Sequence, residues 1–316
     1  MITLLLRRIA GLVITLLIVS MLVFTVMDLL PGDPAAIMLG TSASPDTLAA
    51  LQKELGLDRP LPVRYLAWLG GVLHGDLGQS YTYGVPVAGL IAERLAVTLP
   101  LALLAILISL VVAIPLGVQA ARNHNGVLDI AIGLFSYIGI AIPAFWFGLL
   151  LILLFATNLG WSPAGGFPGW SGGLFAGLQA LLLPAFALAL PQAAVLTRVT
   201  RSAVLEVLGE DFIRTARAKG LGEGEALWRH ALPAALVPVV TVLGLQFTFL
   251  VAGAVLVENV FNLPGLGRLA YQALSQRDVV VMQDVVLLFA ALVITMNFIV
   301  DIAYLLIDPR LRAGAR

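Results

Sequence analysis

The chain has 316 residues, of which 60% are hydrophobic and only 11% are charged, and its 18 basic residues balance its 18 acidic ones. This composition excludes an ordinary soluble domain, in which about a quarter of the residues are charged. Cysteine is absent, which excludes a disulfide framework and a thiolate metal site. The three histidines, His74, His124 and His230, lie far apart without the spacing of metal ligands, so we predict no metal site.

Six long apolar stretches predict six transmembrane helices. They cover approximately residues 9–29, 95–121, 130–156, 177–197, 233–257 and 285–307. The first stretch is longer than the apolar region of a cleaved signal peptide, so we interpret it as a retained helix. Prolines inside the second and fourth stretches are compatible with membrane helices, which they kink. We therefore predict an all-α membrane protein in which residues 1–316 form a single transmembrane domain.

The segment between the first two predicted spans, residues 31–94, is the largest polar segment. The sequence Ser44-Pro45-Asp46 predicts the start of a helix, because serine can cap a helix and proline suits its first turn. A second short helix is expected over residues 63–73. Charged runs are usually solvated faces, so we interpret the segment as a folded, helical extracytoplasmic cap. Direct contact with a substrate is the alternative.

The distribution of basic residues predicts the orientation in the membrane. With both termini in the cytoplasm, twelve basic residues lie inside and six outside, in agreement with the positive-inside rule. The inner residues are Arg7, Arg8, Arg122, Arg198, Arg201, Arg214, Arg217, Lys219, Arg229, Arg310, Arg312 and Arg316. The outer residues are Lys53, Arg59, Arg64, Arg94, Arg268 and Arg277. We therefore predict that the N- and C-termini are both cytoplasmic.

The loop between the fourth and fifth predicted spans, residues 198–232, contains the densest run of charge. Within it, residues 209–233 predict two short helices around a glycine, the helix-glycine-helix element. The first helix has acidic residues in its opening turn and basic residues near its end, an order that suits the helix dipole, and Gly220 supplies the stop. The second opens after Gly222 and meets Pro233. Leu205, Leu208, Phe212 and Ala216 form an apolar stripe at helical spacing. We expect another protein to bind this element.

Ionisable residues are absent from the central portions of all six predicted spans. A proton- or sodium-coupled carrier usually places such residues at mid-membrane, so this pattern argues against one. Asp129, Glu258, Asp284 and Asp301 fall near span ends, where we interpret them as structural, with a role in gating as the alternative. The chain also lacks the glycine-rich phosphate loop of ATP-binding proteins. The energy for transport is therefore expected to come from a partner.

Several motifs resemble those of the permeases of ABC importers. Arg214-Thr215-Ala216, Gly220 and His230-Ala231-Leu232-Pro233 are similar to the Glu-Ala-Ala, Gly and Ile-x-Leu-Pro positions of the loop that docks on the ATPase in that family. Arg214 replaces Glu and His230 replaces Ile, a form that resembles the dipeptide/oligopeptide (DppB/OppB-like) branch. Further motifs of this branch are GDLGQS (75–80), LTRVTRSAVLEVL (196–208), PGLGRL (264–269), QRD (276–278) and VDIAYLLIDPRLR (300–312). The resemblance covers nearly the whole chain.

The resemblance implies a permease of the bacterial inner membrane that forms half of the pathway for di- or oligopeptides. The implied partners are a second, homologous permease, two cytoplasmic ATPase subunits that use ATP and Mg, an extracytoplasmic peptide-binding protein and membrane lipid. No catalytic residue, bound cofactor or nucleic acid is implied for this chain. The alternatives are the same architecture for nickel or another small solute, a stand-alone carrier or channel, and a scaffold without transport.

The residues expected to couple the permease to the ATPase are carried over from the family motif. They are Glu210, Asp211, Phe212, Arg214, Thr215, Ala216, Arg217, Lys219, Gly220, Leu232 and Pro233. Phe212, Ala216 and Gly220 are expected to make close contacts, and the basic residues to orient the element. For the basic residues, plain positive-inside charge or contact with anionic lipid is the alternative.

Overall fold

The computed structural model describes residues 2–29, 34–39 and 44–307, without the side chains of residues 2–5, 34, 37–38, 301 and 303–307. Part of the predicted cap, residues 31–33 and 40–43, lies outside the described residues. The same is true of the C-terminal arginines used to predict the orientation, Arg310, Arg312 and Arg316. The described chain is helical, and its only β pairing is a single bridge between Gln79 and Pro86.

Thirteen α-helices are present in the described residues. They are α1 (Ile2–Leu29), α2 (Pro34–Leu39), α3 (Pro45–Glu54), α4 (Leu61–His74), α5 (Val87–Arg122), α6 (Val127–Ala141), α7 (Ala144–Leu151), α8 (Leu174–Leu208), α9 (Asp211–Ala218), α10 (Glu223–Ala226), α11 (Leu232–Val260), α12 (Leu266–Gln276) and α13 (Val279–Ile307). A π-helical segment, Ile152–Asn158, extends α7, and a second, Leu227–Ala231, joins α10 to α11. Trp170–Gly172 forms a short 3-10 helix.

The all-α membrane class is confirmed. Five helical segments are long and apolar enough to cross a membrane, namely Leu6–Leu29, Val87–Arg122, Leu174–Leu208, Glu223–Val260 and Val279–Val300. A sixth crossing is formed if α6 and α7 with its π extension count together as one span. The described part of the chain therefore contains five or six candidate spans, and the sequence predicts six.

The third predicted span differs most from the structure. The sequence predicts one helix over residues 130–156, whereas Val127–Ala141 and Ala144–Asn158 are bent by 101° relative to each other. Ile142, between them, has extended dihedrals, φ −85° and ψ 121°. Pro143 follows it, and a proline disfavours the helical conformation of the preceding residue and lacks the N–H that would continue the ladder.

Several helices are longer than the apolar stretches from which they were predicted. The 36 residues of α5 extend over about 54 Å, whereas the hydrocarbon core of a bilayer is about 30 Å thick. Helix α8 continues to Leu208, so residues 198–208 of the predicted loop are helical. The segment between the fifth and sixth predicted spans, residues 258–284, contains helix α12, which the apolar pattern did not predict.

The chain divides into two compact units, of which the first comprises Leu99–Leu263 and the end of α13 from Met296. Helix α8 is the central element of this unit, and α6, α7 and α11 pack against it. Close crossings depend on small residues: a Cβ at Gly117 of α5 would lie only 2.6 Å from the Cβ of Thr200 on α8. Small residues at such crossings let membrane helices approach backbone to backbone.

The second unit comprises Ile2–Thr98 and Pro264–Thr295. It joins two motifs that lie far apart in the sequence, since the hydroxyl of Ser80 in GDLGQS donates to a carboxylate oxygen of Asp278 in QRD. The backbone N–H of Thr82 donates to the same oxygen over 3.0 Å. Asp278 is fully buried, so these bonds satisfy a carboxylate that would otherwise be costly to bury.

Apolar packing holds the same unit together. Helices α5, α12 and α13 share a buried cluster of Val87, Ile91, Leu266, Leu269, Ala270, Ala273, Val281 and Val285. The predicted cap contributes α4, which lies close to the residue 63–73 helix predicted for it. Tyr65 and Trp68 of α4 each lie with ring centroids 5.5 Å from Phe24 of α1, and the Trp68 indole N–H donates to Asp284 over 2.9 Å.

Candidate functional site

The helix-glycine-helix element follows α8 directly. Helix α9 begins at Asp211, after a break at Gly209, and Glu210 has extended dihedrals just before it, φ −71° and ψ 149°. The carbonyl of Glu210 accepts from the backbone N–H of Ile213 over 3.1 Å. Both predicted acidic residues therefore lie at the N-terminal end of α9, where the helix dipole favours negative charge.

A turn at Gly220 ends α9 as the sequence predicts. Gly220 has φ +95°, a left-handed conformation that glycine adopts without steric cost. Its N–H donates to the carbonyl of Arg217 over 2.9 Å, and the N–H of Leu221 donates to the carbonyl of Ala216 over 3.3 Å. This pair of bonds is the Schellman motif, which satisfies the last carbonyls of a helix and fixes the direction of the following chain.

One residue of α9 anchors the element to the long helices of the same unit. Ile213 is fully buried, in a cluster that also contains Val118, Ala121, Ala203, Val204, Leu227, Ala231 and Ala235. These residues come from α5, α8, the π segment and α11. Burying an isoleucine side chain contributes about 1.5–3 kcal/mol. The element is therefore packed against three long helices at once.

The predicted apolar stripe is wrong at one position, because Phe212 is exposed and Ile213 takes the buried place. Leu205 and Leu208 do pack on the cluster, and Ala216 is half-buried. The break at Gly209 restarts the helix, so the helical phase set by α8 does not continue into α9. Phe212 is 48% exposed, and its ring is available to a partner.

The charged side chains of the element pair with one another at its surface. Arg214 lies 3.2 Å from Asp211, rather than pairing with Glu210 as the spacing suggests, and Arg217 lies 3.9 Å from Glu223. These side chains are largely exposed, and exposed pairs contribute only about 0–1 kcal/mol. Such weak pairs can be exchanged for bonds to a partner at little cost.

The second half of the element continues without interruption into α11. The second helix meets Pro233 as the sequence predicts, and residues Glu223–Val260 form one helical path through this proline. The N–H of Leu232 donates to the carbonyl of Leu227, five residues earlier, which marks the π turn. Proline lacks an N–H and clashes with the carbonyl four residues before it, so a widened turn just before Pro233 accommodates it.

Sequence reasoning also missed Trp228, which is 50% exposed. Leu227 and Ala231, four residues apart, are both buried on one face of the helix. Trp228 directly follows Leu227 in the chain and therefore points away from the cluster. An aromatic residue within a charged loop is the signal that could have identified it. The element thus presents two exposed aromatic side chains, Phe212 and Trp228.

The carboxylates near the span ends have structural contacts where they are described. Asp129 accepts from the Nε and Nη2 groups of Arg201, the latter over 2.7 Å, and Glu258 is fully buried. Asp284 accepts from Trp68, as described above. The side chain of Asp301 lies outside the described residues. The structural interpretation of these residues is therefore supported for Asp129 and Asp284.

Comparison with known families decides what kind of protein has this architecture. Residues 113–313 match the model of the binding-protein-dependent transport system inner membrane component, and residues 1–102 match the model of its N-terminal region. The chain belongs to this family. It is a multi-pass protein of the bacterial inner membrane, and its family consists of membrane components of transport systems rather than of enzymes.

Individual relatives of this family member match along almost their whole length. A putative peptide transport system permease of Brucella abortus is 44% identical over 99% of both chains. The oligopeptide transport system permease AppB of Bacillus subtilis is 42% identical over 94% of this chain and 95% of its own length. The glutathione transport system permease GsiC of Salmonella choleraesuis is 41% identical over 97% and 98%.

A solved structure shares the fold. An inward-facing crystal structure of the MetNI methionine ABC transporter aligns with a TM-score of 0.58 and 21% identity, over 69% of this chain and 96% of the MetNI chain. At this identity the likeness concerns the fold alone. This permease therefore has the architecture of ABC-importer membrane subunits.

Proposed function

We propose that this chain is the permease subunit of an ATP-driven importer of di- or oligopeptides. The observation on which the proposal rests is the full-length similarity, at 41–44% identity, to permeases named for peptide or glutathione transport. Glutathione is itself a small peptide, so these names agree on one chemical class of cargo. The chain forms half of the translocation pathway, and a second, homologous permease forms the other half.

The helix-glycine-helix element is the docking site for one of two cytoplasmic ATPase subunits, which bind and hydrolyse ATP with Mg. In this proposal both termini are cytoplasmic, and so is the element. Phe212 and Trp228 supply exposed apolar contacts, and the weakly paired Arg214 and Arg217 are free to exchange their acidic partners. Aromatic and arginine side chains are the residue types that contribute most at protein interfaces.

Movement of the ATPase reaches the membrane through rigid contacts. The element is fixed by Ile213 to a cluster shared with α5, α8 and α11, and the path from Glu223 to Val260 is a continuous helix. A displacement of the element therefore tilts several helices together instead of bending a flexible linker. Alternating access then follows as a two-state switch, in which the closed ATPase dimer favours one state.

An extracytoplasmic peptide-binding protein delivers the cargo to the cap. The cap helix α4 is attached to α1 by aromatic contacts and to α13 by the bond from Trp68 to Asp284. A binding protein that docks on this surface is thus in contact with helices that cross the membrane, not with a loose loop.

The test is ATP hydrolysis by the purified assembly in lipid, with and without its binding protein loaded from a dipeptide library. We expect hydrolysis to rise only with the loaded binding protein. A rise with nickel or another non-peptide solute, and none with peptides, would assign the cargo to the alternative class. Solute flux through this chain alone, with no ATPase co-purifying, would contradict the importer and favour a carrier or channel.

A further inference from the structure

An open cavity of about 600 Å³ lies between α6 and α8, outside the helix-glycine-helix element. Its polar lining comes from the turn before α6, from Asp129 in the first turn of α6 and from one face of α8, and its apolar lining comes from the rest of α6. The lining residues are Asn125, Asp129, Ile130, Gly133, Leu134, Tyr137, Arg198, Arg201 and Ser202. The cavity belongs to a single unit of the chain, so its shape is set by the packing of α6 on α8.

The two arginines of the cavity differ in their partners. Arg201 is held by Asp129 through two hydrogen bonds, and the N–H of Asn125 donates to the same carboxylate over 2.9 Å. Arg198, by contrast, lies with its guanidinium carbon 5.0 Å from the centre of the Tyr137 ring. Among the described residues, none provides Arg198 with a carboxylate within ion-pair distance. The cavity therefore has one positive charge in excess.

Neighbouring carboxylates do not remove this charge. Asp129 is already neutralised by Arg201, and Glu206 is eight residues further along α8, about 12 Å along the helix axis from Arg198. His124 lies 3.2 Å from a terminal nitrogen of Arg201 and can only add positive charge when it is protonated. Positive charge at the surface of a membrane attracts anionic lipid headgroups.

The other wall of the cavity is apolar and open. Ile130, Leu134 and Tyr137 lie on one stripe of α6 at helical spacing, and they are 68%, 59% and 63% exposed. A Cβ built at Gly133, between them, would have open space around it. The cavity thus combines a cationic end with an adjoining open, apolar groove.

We propose that this cavity binds an anionic phospholipid of the membrane leaflet in which α6 begins. The headgroup phosphate pairs with the Arg198 guanidinium, which the Tyr137 ring holds in place, and the Ser202 hydroxyl can donate a further hydrogen bond. An acyl chain lies along Ile130 and Leu134. Arginine matches phosphate with a fork of N–H donors, and an aromatic ring near a basic residue is typical of a membrane interface. The inference rests on the membrane location of the chain and not on its proposed cargo.

The test uses the complete transporter in nanodiscs of phosphatidylcholine with a minority of phosphatidylglycerol. Lipids that remain bound after extraction are counted by native mass spectrometry for wild type, Arg198→Gln, Arg198→Lys and Arg122→Gln. Arg122 is an exposed arginine at the end of α5, outside the cavity, so its variant matches the charge change. A basic residue that contacts an anionic headgroup contributes about 1 kcal/mol to its binding, so the loss of that contact corresponds to a retention about fivefold lower.

We expect wild type and Arg122→Gln to retain phosphatidylglycerol in preference to phosphatidylcholine, Arg198→Gln to lose this preference about fivefold, and Arg198→Lys to recover part of it. Equal retention of both lipids by wild type would overturn the proposal, as would an unchanged preference in Arg198→Gln. Inorganic phosphate added to pure phosphatidylcholine discs provides a further arm: thermal stabilisation as large as that by phosphatidylglycerol would show an anion site without a lipid. A cross-link to the second permease from a photoreactive residue in place of Leu134 would show that protein covers the groove, and would overturn the proposal.

Discussion

Two neighbouring residues of α9, Ile213 and Phe212, allow two roles of the helix-glycine-helix element to be tested separately: its anchoring to the membrane helices and its docking on the ATPase. Ile213 is fully buried in the cluster that joins the helix-glycine-helix element to α5, α8 and α11, whereas Phe212 is 48% exposed. Replacing a buried isoleucine by alanine costs about 2–5 kcal/mol, because the lost transfer energy is increased by the cavity that remains. Since the cluster members come from different helices, for example Val118 from α5 and Val204 from α8, little collapse is expected, and we expect Ile213→Ala to cost about 3 kcal/mol.

Phe212→Ala is the matched control on the same turn of the helix. Half of the Phe212 surface is already exposed, so the truncation should lower stability by about 1 kcal/mol or less. If the ring is an anchor on the ATPase, its loss weakens docking by about 2 kcal/mol, or roughly thirtyfold in affinity. The two variants should therefore affect different measurements.

The assay combines three readouts on the transporter in nanodiscs: thermal unfolding of the permease, affinity for the added ATPase, and peptide transported per ATP hydrolysed. Ile213→Ala should lower the unfolding temperature and the transport per ATP while leaving the docking surface in place. Phe212→Ala should lower ATPase affinity with little change in unfolding temperature. Equal effects of both variants on stability, or an unchanged ATPase affinity in Phe212→Ala, would refute the assignment of the two faces.

Three further variants, two of them with a matched control variant, test other parts of the structure. Gly220→Val forces a β-branched residue into φ +95° at a cost of about 1–3 kcal/mol, so peptide uptake per ATP should fall while membrane insertion stays intact. Gly222→Val, at φ −68°, should behave like wild type. Normal uptake by Gly220→Val would count against a rigid turn. Asp278→Ala removes the shared acceptor of Ser80 and of two backbone N–H groups and should cost at least about 3 kcal/mol in thermal unfolding, against about 1–2 kcal/mol for Ser80→Ala. Asp129→Ala leaves the Arg201 guanidinium without its carboxylate acceptor and should lower the free energy of unfolding by about 3 kcal/mol. This is the lower end of the range for a broken buried pair, because Arg201 is partly exposed. An unchanged unfolding temperature would contradict a structural ion pair.

The positions of most membrane helices could be predicted because a long apolar stretch identifies a span whatever packs against it. The limits of those helices could not, since polar residues at either end of α5 and α8 continue the same helical ladder. The bend at Pro143 was missed because the residues on both sides are equally apolar, and a hydropathy pattern does not change where a helix turns. Helix α12 is amphipathic and short, so it lacks the signature of a span.

The candidate site was predicted in its outline and not in its packing. The stop at Gly220 follows from local chemistry and is present, whereas the choice of Ile213 over Phe212 depends on the break at Gly209, which resets the helical phase. Contacts between distant residues gave no sequence signal: Asp129 and Arg201 are 72 residues apart. The roles of the coupling residues stay a prediction until the variants above are measured.

The π turn at Leu227–Ala231 makes the chain sensitive to length as well as to residue type. A π turn holds one residue more than the α-helical ladder would, and one residue corresponds to 100° of rotation about the helix axis. Because the wide turn absorbs this residue, deleting one residue there would let the ladder close as an ordinary α-helix while Ala235 and Val239, both buried, keep their phase relative to α10. Pro233 would then lie in an ordinary α-helical ladder, where its ring clashes with the carbonyl four residues before it at a cost of about 3 kcal/mol. A deletion further along α11, which no wide turn absorbs, would instead rotate every later side chain by about 100° and should be the more harmful of the two.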